Sequence, residues 1–473
     1  MPMETQADAA LLEKLARDPH RPRYHFLPPA NWMNDPNGLL QWKGQYHLFY
    51  QHNPFGPQWG NMHWGHAVSD DLVYWRHLPI ALAPTPDGPD KDGVFSGSAV
   101  DNDGVPTVLY TGVRPEVQCL ATSRDDLLSW AKHPGNPVIP APPPGLDVTG
   151  FRDPCAWREG DGWCMAVGSG LRDRGGAALL YASRGPGLAD WEYLHPLCVG
   201  DKAATGEMWE CPDFFPLGDA HVLLVSVLGT TLYFSGTYAD LSFAPAVPGN
   251  TDFGGHFYAA KTLLDDRGRR ILWGWMWEGR SGEAQVETGW AGVQSLPRIL
   301  ELGSDGRLRY ESVPELRSLR GDGWSERDLS LQPGALLQIG AEGDCLEVEA
   351  EVDPGTADQV SLALRRSPDG TEQTLVIYDR STGHLAVDRQ RSSLSPQTDR
   401  DVRGGELSLG PGEPLRLHVY LDRSVLEVFA NGRACLTSRI YPSRPDSLGV
   451  ALLATGGAAC VTSLDVWRIA PIW

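Results

Sequence analysis

The sequence predicts an all-β protein in which a β-propeller precedes a second β-rich domain. Short strand-like runs, such as residues 45–50 and 105–110, are bounded by clusters of Gly, Pro, Asn and Asp, which favour strands and turns over helices. A degenerate repeat runs through the first half of the chain. The composition also changes near residue 300, before which lie 14 of the 17 tryptophans and 11 of the 13 histidines. The chain of 473 residues is therefore expected to contain two domains of different kinds.

The repeat predicts the architecture of the first domain. Each copy ends a strand-like run, turns at an Asp, and closes on an aromatic residue, namely Trp75, Trp130, Trp191 and Phe243. These aromatic residues lie 55, 61 and 52 positions apart, so about 300 residues hold roughly five units. Periods of this size with several short strands each predict a β-propeller. Because propeller blades converge on a central channel, side chains that are distant in sequence are expected to share one pocket.

The second domain shows the period-two pattern of half-buried strands. Residues 346–352 and 415–421 alternate aliphatic and polar side chains, and Asn431-Gly432 between two such runs predicts a hairpin. Residues 313–320 favour a short helical linker, and residues 9–17 favour the one helix near the start. The predicted division is an N-terminal extension (1–22), a propeller domain (23–312), a linker (313–324) and a β-domain (325–473).

Charge and cysteine content narrow the class of protein. The formal net charge of −20 argues against nucleic acid or an anionic membrane surface as a partner, and leaves neutral ligands open. The eight cysteines show no CxxC spacing, which favours free thiols in a reducing compartment. Neither a signal-peptide core nor a run of 18 apolar residues is visible. We therefore expect a cytoplasmic protein, either a monomer or a homodimer.

The segment 31–38, Asn-Trp-Met-Asn-Asp-Pro-Asn-Gly, is the first candidate for a functional site. Taken alone, its Asn-Asp-Pro-Asn-Gly core favours a simple turn. Trp42 and the nearby segments 51–54 (Gln-His-Asn-Pro) and 59–61 (Trp-Gly-Asn) add indoles and amides within one repeat length. That mixture suits a polyhydroxylated ring, which needs hydrogen-bonding groups for its hydroxyls and a flat apolar surface for its C–H face.

Two further segments carry carboxylates. Arg152 beside Asp153 could form a surface ion pair of little consequence, and Glu210 could be a solvated rim residue. However, Glu210 stands between Trp209 and Cys211, and apolar neighbours favour the protonated form that a general acid requires. We expect the three segments to fall in successive blades and to act together. Two carboxyl groups around one sugar would support glycoside hydrolysis with retention of configuration.

A metal site is the main alternative for the histidines His47, His52, His63 and His66. The odd spacing of His63 and His66 places them on opposite faces of a strand, so the pattern does not predict a ligand pair. The chemistry expected from the carboxylates needs no metal and no organic cofactor.

The combination of motifs resembles a known family. The motifs are WMNDPNG (32–38), YQHNP (50–54), FSGS (95–98), FRDP (151–154) and WECPD (209–213). With them, the sequence resembles glycoside hydrolase family 32, the β-fructofuranosidases that include invertases, inulinases and levanases, from about residue 23 to the end. The resemblance implies a five-bladed β-propeller followed by a C-terminal β-sandwich. It also implies retaining hydrolysis of terminal fructofuranosyl residues of sucrose, fructo-oligosaccharides or fructans.

The resemblance assigns roles by motif position. It implies Asp35 as the nucleophile, Glu210 as the general acid/base, and Asp153 with Arg152 as the stabiliser of the transition state. The fructose-binding positions that it implies are Asn34, Gln51, Trp59, Phe95 and Ser96, and those on the leaving-group side are Asp252 and Trp277. Two alternatives stay open: a fructosyltransferase that uses the same covalent intermediate, and a non-catalytic sugar-binding propeller.

Overall fold

The structure is a computed structural model that describes residues 9–473. Residues 1–8 of the predicted extension lie outside the described part. The described chain opens with helix α1 (Ala9–Ala16), as the sequence predicts, and this helix buries Leu15. No helix within residues 9–473 is long and apolar enough to span a membrane.

Residues 31–312 form five sheets of four or more strands, mostly antiparallel, which are the blades of a propeller. Blade 1 contains β1 (Asn31–Trp42), β2 (Gln45–Asn53), β3 (His63–Ser69) and β4 (Trp75–Leu82). Blade 2 contains β5 (Val94–Asn102), β6 (Val105–Gly112), β7 (Val117–Thr122) and β8 (Ala131–Lys132). Blade 3 contains β9 (Val148–Glu159), β10 (Gly162–Leu171), β11 (Gly175–Ser183) and β12 (Trp191–Val199).

The last two blades include short helices. After helix α2 (Lys202–Thr205), blade 4 contains β13 (Glu210–Leu217), β14 (Ala220–Val227), β15 (Thr230–Ala239) and β16 (Ser242–Asn250). Blade 5 begins with β17 (Tyr258–Leu264) and β18 (Arg270–Met276), and helix α3 (Gly282–Thr288) follows. The short strands β19 (Trp290–Ala291) and β20 (Val293–Gln294) come next, and β21 (Arg298–Leu302) and β22 (Leu308–Ser312) complete the blade.

The innermost strands of the blades form a closed ring. Strand β1 contacts β5, β5 contacts β9, β9 contacts β13, β13 contacts β17, and β17 returns to β1. Strand β19, which follows β18 in the chain, pairs in parallel with β1 and so belongs to the first sheet, with Asn31 opposite Trp290. This pairing joins the two ends of the propeller. The predicted propeller is therefore confirmed, with five blades.

In four of the five blades, the repeat found in the sequence forms the turn between the third and fourth strands. Trp75 and Trp191 are the first residues of β4 and β12, and their indoles donate to the carbonyls of Leu72 and Leu188 at 3.2 and 2.8 Å. Asp71 accepts from the backbone N–H groups of residues 73 and 74 at 2.9 Å each, which stabilises the turn. The repeated aromatic residues therefore close turns and do not line the channel.

The remaining third of the chain, residues 320–469, is a sandwich of two six-stranded sheets. A 3₁₀ helix (Pro314–Leu319) with proline near its start connects it to the propeller, and the first sandwich strand begins at Arg320, inside the predicted linker. One sheet contains β23 (Arg320–Leu331), β25 (Cys345–Asp353), β30 (Leu415–Asp422), β31 (Val425–Ala430), β32 (Ala434–Arg439) and β34 (Ala459–Ile469). The other contains β24 (Leu336–Glu342), β26 (Gln359–Arg366), β27 (Thr374–Asp379), β28 (His384–Asp388), β29 (Val402–Glu406) and β33 (Gly449–Thr455).

The hairpin predicted at Asn431-Gly432 is confirmed. Strands β31 and β32 pair from residues 425 and 439 to residues 430 and 434 around it. Both turn residues have positive φ, 50° for Asn431 and 63° for Gly432, as a tight hairpin turn requires.

A buried ionic network joins the two domains. Arg298 of blade 5 donates to Asp252 at 2.9 Å and to Glu427 of the sandwich at 2.5 Å, and none of the three side chains is more than 1% exposed. His25, which precedes the first blade, lies between Glu427 at 3.0 Å and Asp422 at 2.9 Å. Since a buried charge is tolerated only when it is paired, each domain depends on charges that the other supplies.

Candidate active site

All five innermost strands are irregular at the same end of the channel. The strand register shifts at residues 34–35 in β1, 96 in β5, 153–154 in β9, 211–212 in β13 and 259–260 in β17. Asp153, Cys211 and Ala259 also have positive φ, of 64°, 48° and 53°. A β-bulge turns side chains away from the regular alternation of a strand. The five bulges direct polar side chains from every blade toward one cleft.

The cleft at this end of the channel has a volume of about 400 Å³. This size falls in the range of small-molecule sites. Its lining residues are Asn34, Asp35, Gln51, Trp59, Met62, Phe95, Ser96, Glu116, Arg152, Asp153, Glu210, Cys211, Tyr258 and Trp275. It combines three predicted carboxyl groups with amides, hydroxyls and aromatic rings, which is the mixture that a polyhydroxylated ligand requires.

Asp35 is held by neighbours from three blades. Ser96 Oγ donates to Asp35 Oδ2 at 2.5 Å, and Asn34 Nδ2 donates to Oδ1 at 3.0 Å. The Sγ of Cys211 lies 3.4 Å from Asp35 Oδ2. Burial raises the pKa of Asp35, the hydrogen bonds from Ser96 and Asn34 oppose that rise, and the charge of Glu210 adds to it, with a net upward shift. These contacts fix the orientation of the carboxylate.

Asp153 is the most deeply buried of the three acids, with 3% of its surface exposed. Its Oδ2 accepts the backbone N–H of Cys211 at 2.8 Å, and its own N–H donates to Thr111 Oγ1 at 2.9 Å. Burial raises the pKa of Asp153 to about 7, although Arg152 opposes the shift, while Asp35 and Glu210 reinforce it. The charges of Asp35 and Glu210 therefore act on Asp153 across the cleft.

Glu210 lies among polar groups at the mouth of the cleft. Arg152 Nη2 donates to its Oε1 at 2.8 Å, and the hydroxyl of Tyr258 donates to its Oε2. The side chain of Glu210 is 34% exposed. The sequence suggested apolar surroundings for this carboxylate, and the structure does not show them. Trp209 is fully buried in a hydrophobic cluster, and Cys211 faces the other two acids.

Arg152 connects Glu210 to a carboxylate that the sequence did not single out. Its Nη1 donates to Glu116 Oε1 at 2.8 Å, and Glu116 Oε2 accepts the N–H of Phe151 at 2.6 Å. The pKa of Arg152 is raised, because the charges of Asp153, Glu210 and Glu116 outweigh its burial. Arg152 is thus a fixed cation between two carboxylates, and the surface ion pair considered for it is not what the structure shows.

Aromatic rings form two walls of the cleft. Trp59 and Phe95 meet edge to face with centroids 5.9 Å apart on one side, and Trp59 is 57% exposed. Trp275 lies on the other side, where its ring centroid is 5.9 Å from that of Trp277. Trp277 also contacts Tyr258, again at 5.9 Å, and so stands behind the cleft wall and outside its lining. Gln51, also predicted, lines the cleft although it is only 2% exposed.

Asp252 does not reach the cleft. Its Oδ2 accepts from Arg298 at 2.9 Å and from Thr437 Oγ1 at 2.6 Å, and its Oδ1 accepts the backbone N–H of Thr437 at 2.8 Å. Both carboxylate oxygens of Asp252 are occupied by partners at the domain boundary, so neither is free to bind a sugar. Asp252 therefore lies outside the cleft lining, and the contacts that it makes in the structure are between the two domains.

The order of the blades also differs from the expectation. Asp35, Asp153 and Glu210 come from blades 1, 3 and 4, so they do not lie in successive blades. Blade 2 supplies Ser96, and blade 5 supplies Tyr258, which was not predicted to act. The position of Tyr258 could have indicated its role, because it begins the innermost strand of its blade as Glu210 does. Glu116 lies in a loop without any motif, and no sequence pattern marks it.

One group of side chains in the described part of the chain has the proximity that a metal ion needs, and it lies in the sandwich. Glu347, Glu349 and His418 bring their ligand atoms within 4.8 Å of one another. Arg320 already donates to both carboxylates there. A guanidinium in that position disfavours a cation, so we assign the group no metal.

Three acids, an arginine and aromatic walls at the axis of a five-bladed propeller are the features of a glycoside hydrolase. Comparison with known families agrees. The model described as the glycosyl hydrolases family 32 N-terminal domain matches residues 25–312, and the model described as the family 32 C-terminal domain matches residues 315–468. The chain belongs to glycoside hydrolase family 32.

Individual relatives cover almost the whole chain. The sucrose-6-phosphate hydrolase of Escherichia coli is 38% identical over 95% of this chain and 94% of its own length. The levanase of Bacillus subtilis is 36% identical over 100% of this chain and 73% of its own length. The crystal structure of fructan 1-exohydrolase IIa from Cichorium intybus superposes with a TM-score of 0.88, at 32% identity over 96% of this chain and 98% of that chain.

Proposed function

We propose that the protein is a retaining β-fructofuranosidase that removes terminal fructofuranosyl residues from sucrose and fructo-oligosaccharides. The observation that carries the proposal is the convergence of Asp35, Asp153 and Glu210 in one cleft. The names of the relatives support it, since sucrose 6-phosphate, levan and raffinose all end in a fructofuranosyl unit. Solved relatives in complex with 1-kestose and with sucrose add further support.

In the first step, Glu210 acts as the general acid and donates a proton to the glycosidic oxygen. The bond between C2 and that oxygen breaks, and its electron pair stays on the leaving group. The carboxylate of Asp35 forms a bond to C2 from the opposite face. The hydrogen bonds from Ser96 and Asn34 hold Asp35 in one orientation for this attack.

In the second step, Glu210 takes a proton from water. The resulting hydroxyl adds to C2, and the bond between C2 and Asp35 breaks. Two inversions leave the configuration of fructose unchanged. Retaining enzymes need their two carboxyl groups close together, and the contact between Asp35 and Cys211, the residue next to Glu210, supports this arrangement.

Asp153 stabilises the positive charge that develops on the ring. It lies between Arg152, its neighbour in the chain, and Cys211, which donates to it, and its burial strengthens electrostatic interactions. Gln51 and Asn34, which line the same cleft, provide neutral hydrogen-bonding groups for the sugar hydroxyls. No step requires a cofactor.

We place the protein in a reducing compartment, as expected for the cytoplasm. The support is that all eight cysteines are free thiols and that none forms a disulfide.

The proposal is tested by an NMR time course of the purified protein on sucrose. We expect equal amounts of glucose and fructose, with β-fructofuranose as the first anomer released. An excess of glucose over fructose would instead identify a fructosyltransferase. The first release of α-fructofuranose would refute retention, and absence of turnover on sucrose, inulin and levan would favour the sugar-binding alternative.

A further inference from the structure

Three charged side chains at the mouth of the cleft are joined by hydrogen bonds. Arg152 donates from Nη1 to Glu116 Oε1 and from Nη2 to Glu210 Oε1, both at 2.8 Å. The side chains of Glu116, Arg152 and Glu210 are 26%, 20% and 34% exposed. Solvent therefore screens the three charges only in part, and the charge of each acid affects the guanidinium between them.

The carboxylate of Glu116 is held where two blades meet. Glu116 immediately precedes β7 of blade 2, and its Oε2 accepts the N–H of Phe151 on β9 of blade 3 at 2.6 Å. Gln118 of β7 binds the same residue, because its Nε2 donates to the carbonyl of Phe151 at 2.8 Å. Gln118 is fully buried. These contacts fix the backbone just before Arg152 and give the Glu116 carboxylate a set position beside the guanidinium.

The direct contacts of Glu210 favour its ionised form. Its two oxygens accept hydrogen bonds from Arg152 and from the hydroxyl of Tyr258, and such bonds stabilise the charge of a carboxylate. A general acid must instead carry a proton when the substrate binds. An unbalanced guanidinium beside Glu210 would therefore oppose the role that we propose for it.

Negative charges around this pair act in the opposite direction. The titratable and charged groups that face Glu210 from its own strand and from the other strands of the cleft are Arg152, Asp153, Asp35, Tyr258 and Cys211. The charges of Asp35 and Asp153 disfavour a third ionised carboxyl group in the cleft. Among residues 9–473, Glu116 is the only acid besides Glu210 that forms an ion pair with Arg152.

We propose that Glu116 is a positioning residue, which offsets the charge of Arg152 and so allows Glu210 to hold the proton that it donates to the glycosidic oxygen. This inference rests on the proposed function, in which Glu210 is the general acid. Glu116 acts through the guanidinium and transfers no proton itself. The pH range of activity therefore depends on a residue outside the three acids of the mechanism.

The test is the pH profile of kcat/KM for sucrose in the wild-type protein and in Glu116→Gln. The amide of Gln keeps the size of the side chain and can still accept the N–H of Phe151, but it carries no charge. Arg152 then stabilises ionised Glu210 alone, so we expect the alkaline limb, which reports the general acid, to move about one pH unit toward acid. Above that limb, kcat/KM for sucrose should fall about tenfold relative to the wild-type protein.

A second substrate separates loss of the proton from general damage to the site. The leaving group of 4-nitrophenyl β-fructofuranoside is a stable anion, so its departure needs little protonation. At one pH above the limb, Glu116→Gln should therefore slow sucrose about tenfold more than this aryl fructoside. Glu116→Asp, which keeps the charge, should shift the alkaline limb less than Glu116→Gln does.

The matched control is Glu413→Gln. Glu413 also pairs with an arginine, Arg433, at 2.7 Å, and it also accepts a backbone N–H, that of Gly410 at 2.8 Å, but it lies in the sandwich. Its side chain is 29% exposed, close to the 26% of Glu116. This variant should keep the wild-type pH profile.

An alkaline limb that stays in place in Glu116→Gln would overturn this inference alone, whatever the loss of activity. An equal loss on the two substrates would do the same, because it would show that Glu116 only maintains the structure. A wild-type protein that hydrolyses neither substrate, or wild-type turnover of sucrose by Glu210→Gln, would overturn the proposed function, and the inference with it.

Discussion

At the scale of single residues, the cleft depends on contacts that fix three acids in different ways. Asp35 is oriented by two donors, Asp153 is buried against a backbone N–H, and Glu210 lies between a guanidinium and a phenol. These environments differ although the side chains are chemically alike. Different environments allow one carboxyl group to act as a nucleophile while another transfers protons.

Substitution of the two reacting acids should remove activity and leave the fold intact. We expect Asp35→Ala and Glu210→Gln each to lower kcat by about 10²- to 10⁴-fold or more, the usual worth of acid/base and nucleophilic groups. Thermal unfolding checks that both variants fold. The control Glu301→Gln changes an exposed acid of blade 5 and should retain wild-type kcat. Wild-type turnover of sucrose by Glu210→Gln would refute its assignment.

At the level of strands, the bulges position the site residues. The backbones of neighbouring strands pack closely there, so a larger side chain is not accommodated. Gly97 follows Ser96 at the bulge of β5. A Cβ added at Gly97 would lie 1.9 Å from the carbonyl oxygen of Leu109 on the neighbouring strand. The glycine is therefore required by close approach of two backbones.

Gly97→Ala should destabilise blade 2. We expect a loss of about 1–3 kcal/mol or more in the free energy of unfolding, because the strands must move apart. Urea denaturation measures it. The control is Gly187→Ala, where an added Cβ meets nothing within 4 Å, and its change should stay within about 0.5 kcal/mol. Equal stability of the two variants would contradict the packing argument.

In the whole molecule, the two domains share one hydrophobic cluster, in which Tyr310 of the propeller joins Tyr420 and Phe429 of the sandwich, and they also share buried charges. Arg298 of the propeller is fully buried and has Glu427 of the sandwich as a partner. Removing one member leaves the other charge buried without compensation. We therefore expect the sandwich to stabilise the propeller, although its strands contribute nothing to the cleft lining.

Glu427→Gln should destabilise the protein by about 3–5 kcal/mol, the usual cost of breaking a buried ion pair. Urea denaturation gives the free energy of unfolding. The control Glu351→Gln breaks a pair with Arg416 on the surface of the same sandwich, where the side chains are 38% and 60% exposed. That control should cost less than about 1 kcal/mol. Similar losses in the two variants would show that the network does not hold the domains together.

The same network predicts a dependence of stability on pH. Burial alone would lower the pKa of His25, but hydrogen bonds to Asp422 and Glu427 outweigh it and raise the pKa above the ordinary value. The stability that His25 adds is therefore complete below its unfolded pKa of about 6.5 and is lost as the pH rises through the higher folded pKa. The two carboxylates titrate at lower pH, because their pKa values are lowered.

We expect His25→Gln to be less stable than the wild-type protein near pH 6, and the difference to narrow toward about pH 9. Thermal unfolding of both proteins across this range measures the difference. A gap that stays constant with pH would mean that His25 acts only through packing.

Local patterns in the sequence carried the prediction of much of this molecule. The repeat predicted the propeller because each copy forms the same turn, and turn chemistry is local. Asn431-Gly432 predicted its hairpin for the same reason. Most of the residues expected around the sugar do line one cleft, including Asp35, Asp153 and Glu210.

Local sequence patterns therefore established the all-β class, the repeated blades and the segments that meet at the axis. The packing of the blades and the sandwich revealed which groups surround each acid, that Glu116 and Tyr258 line the cleft, and that Asp252 lies at the domain boundary. These outcomes depend on contacts between residues that are distant along the chain. A pattern of neighbours in sequence reports turns and strands, whereas the partners of a buried charge are set by how the blades and the sandwich pack in space.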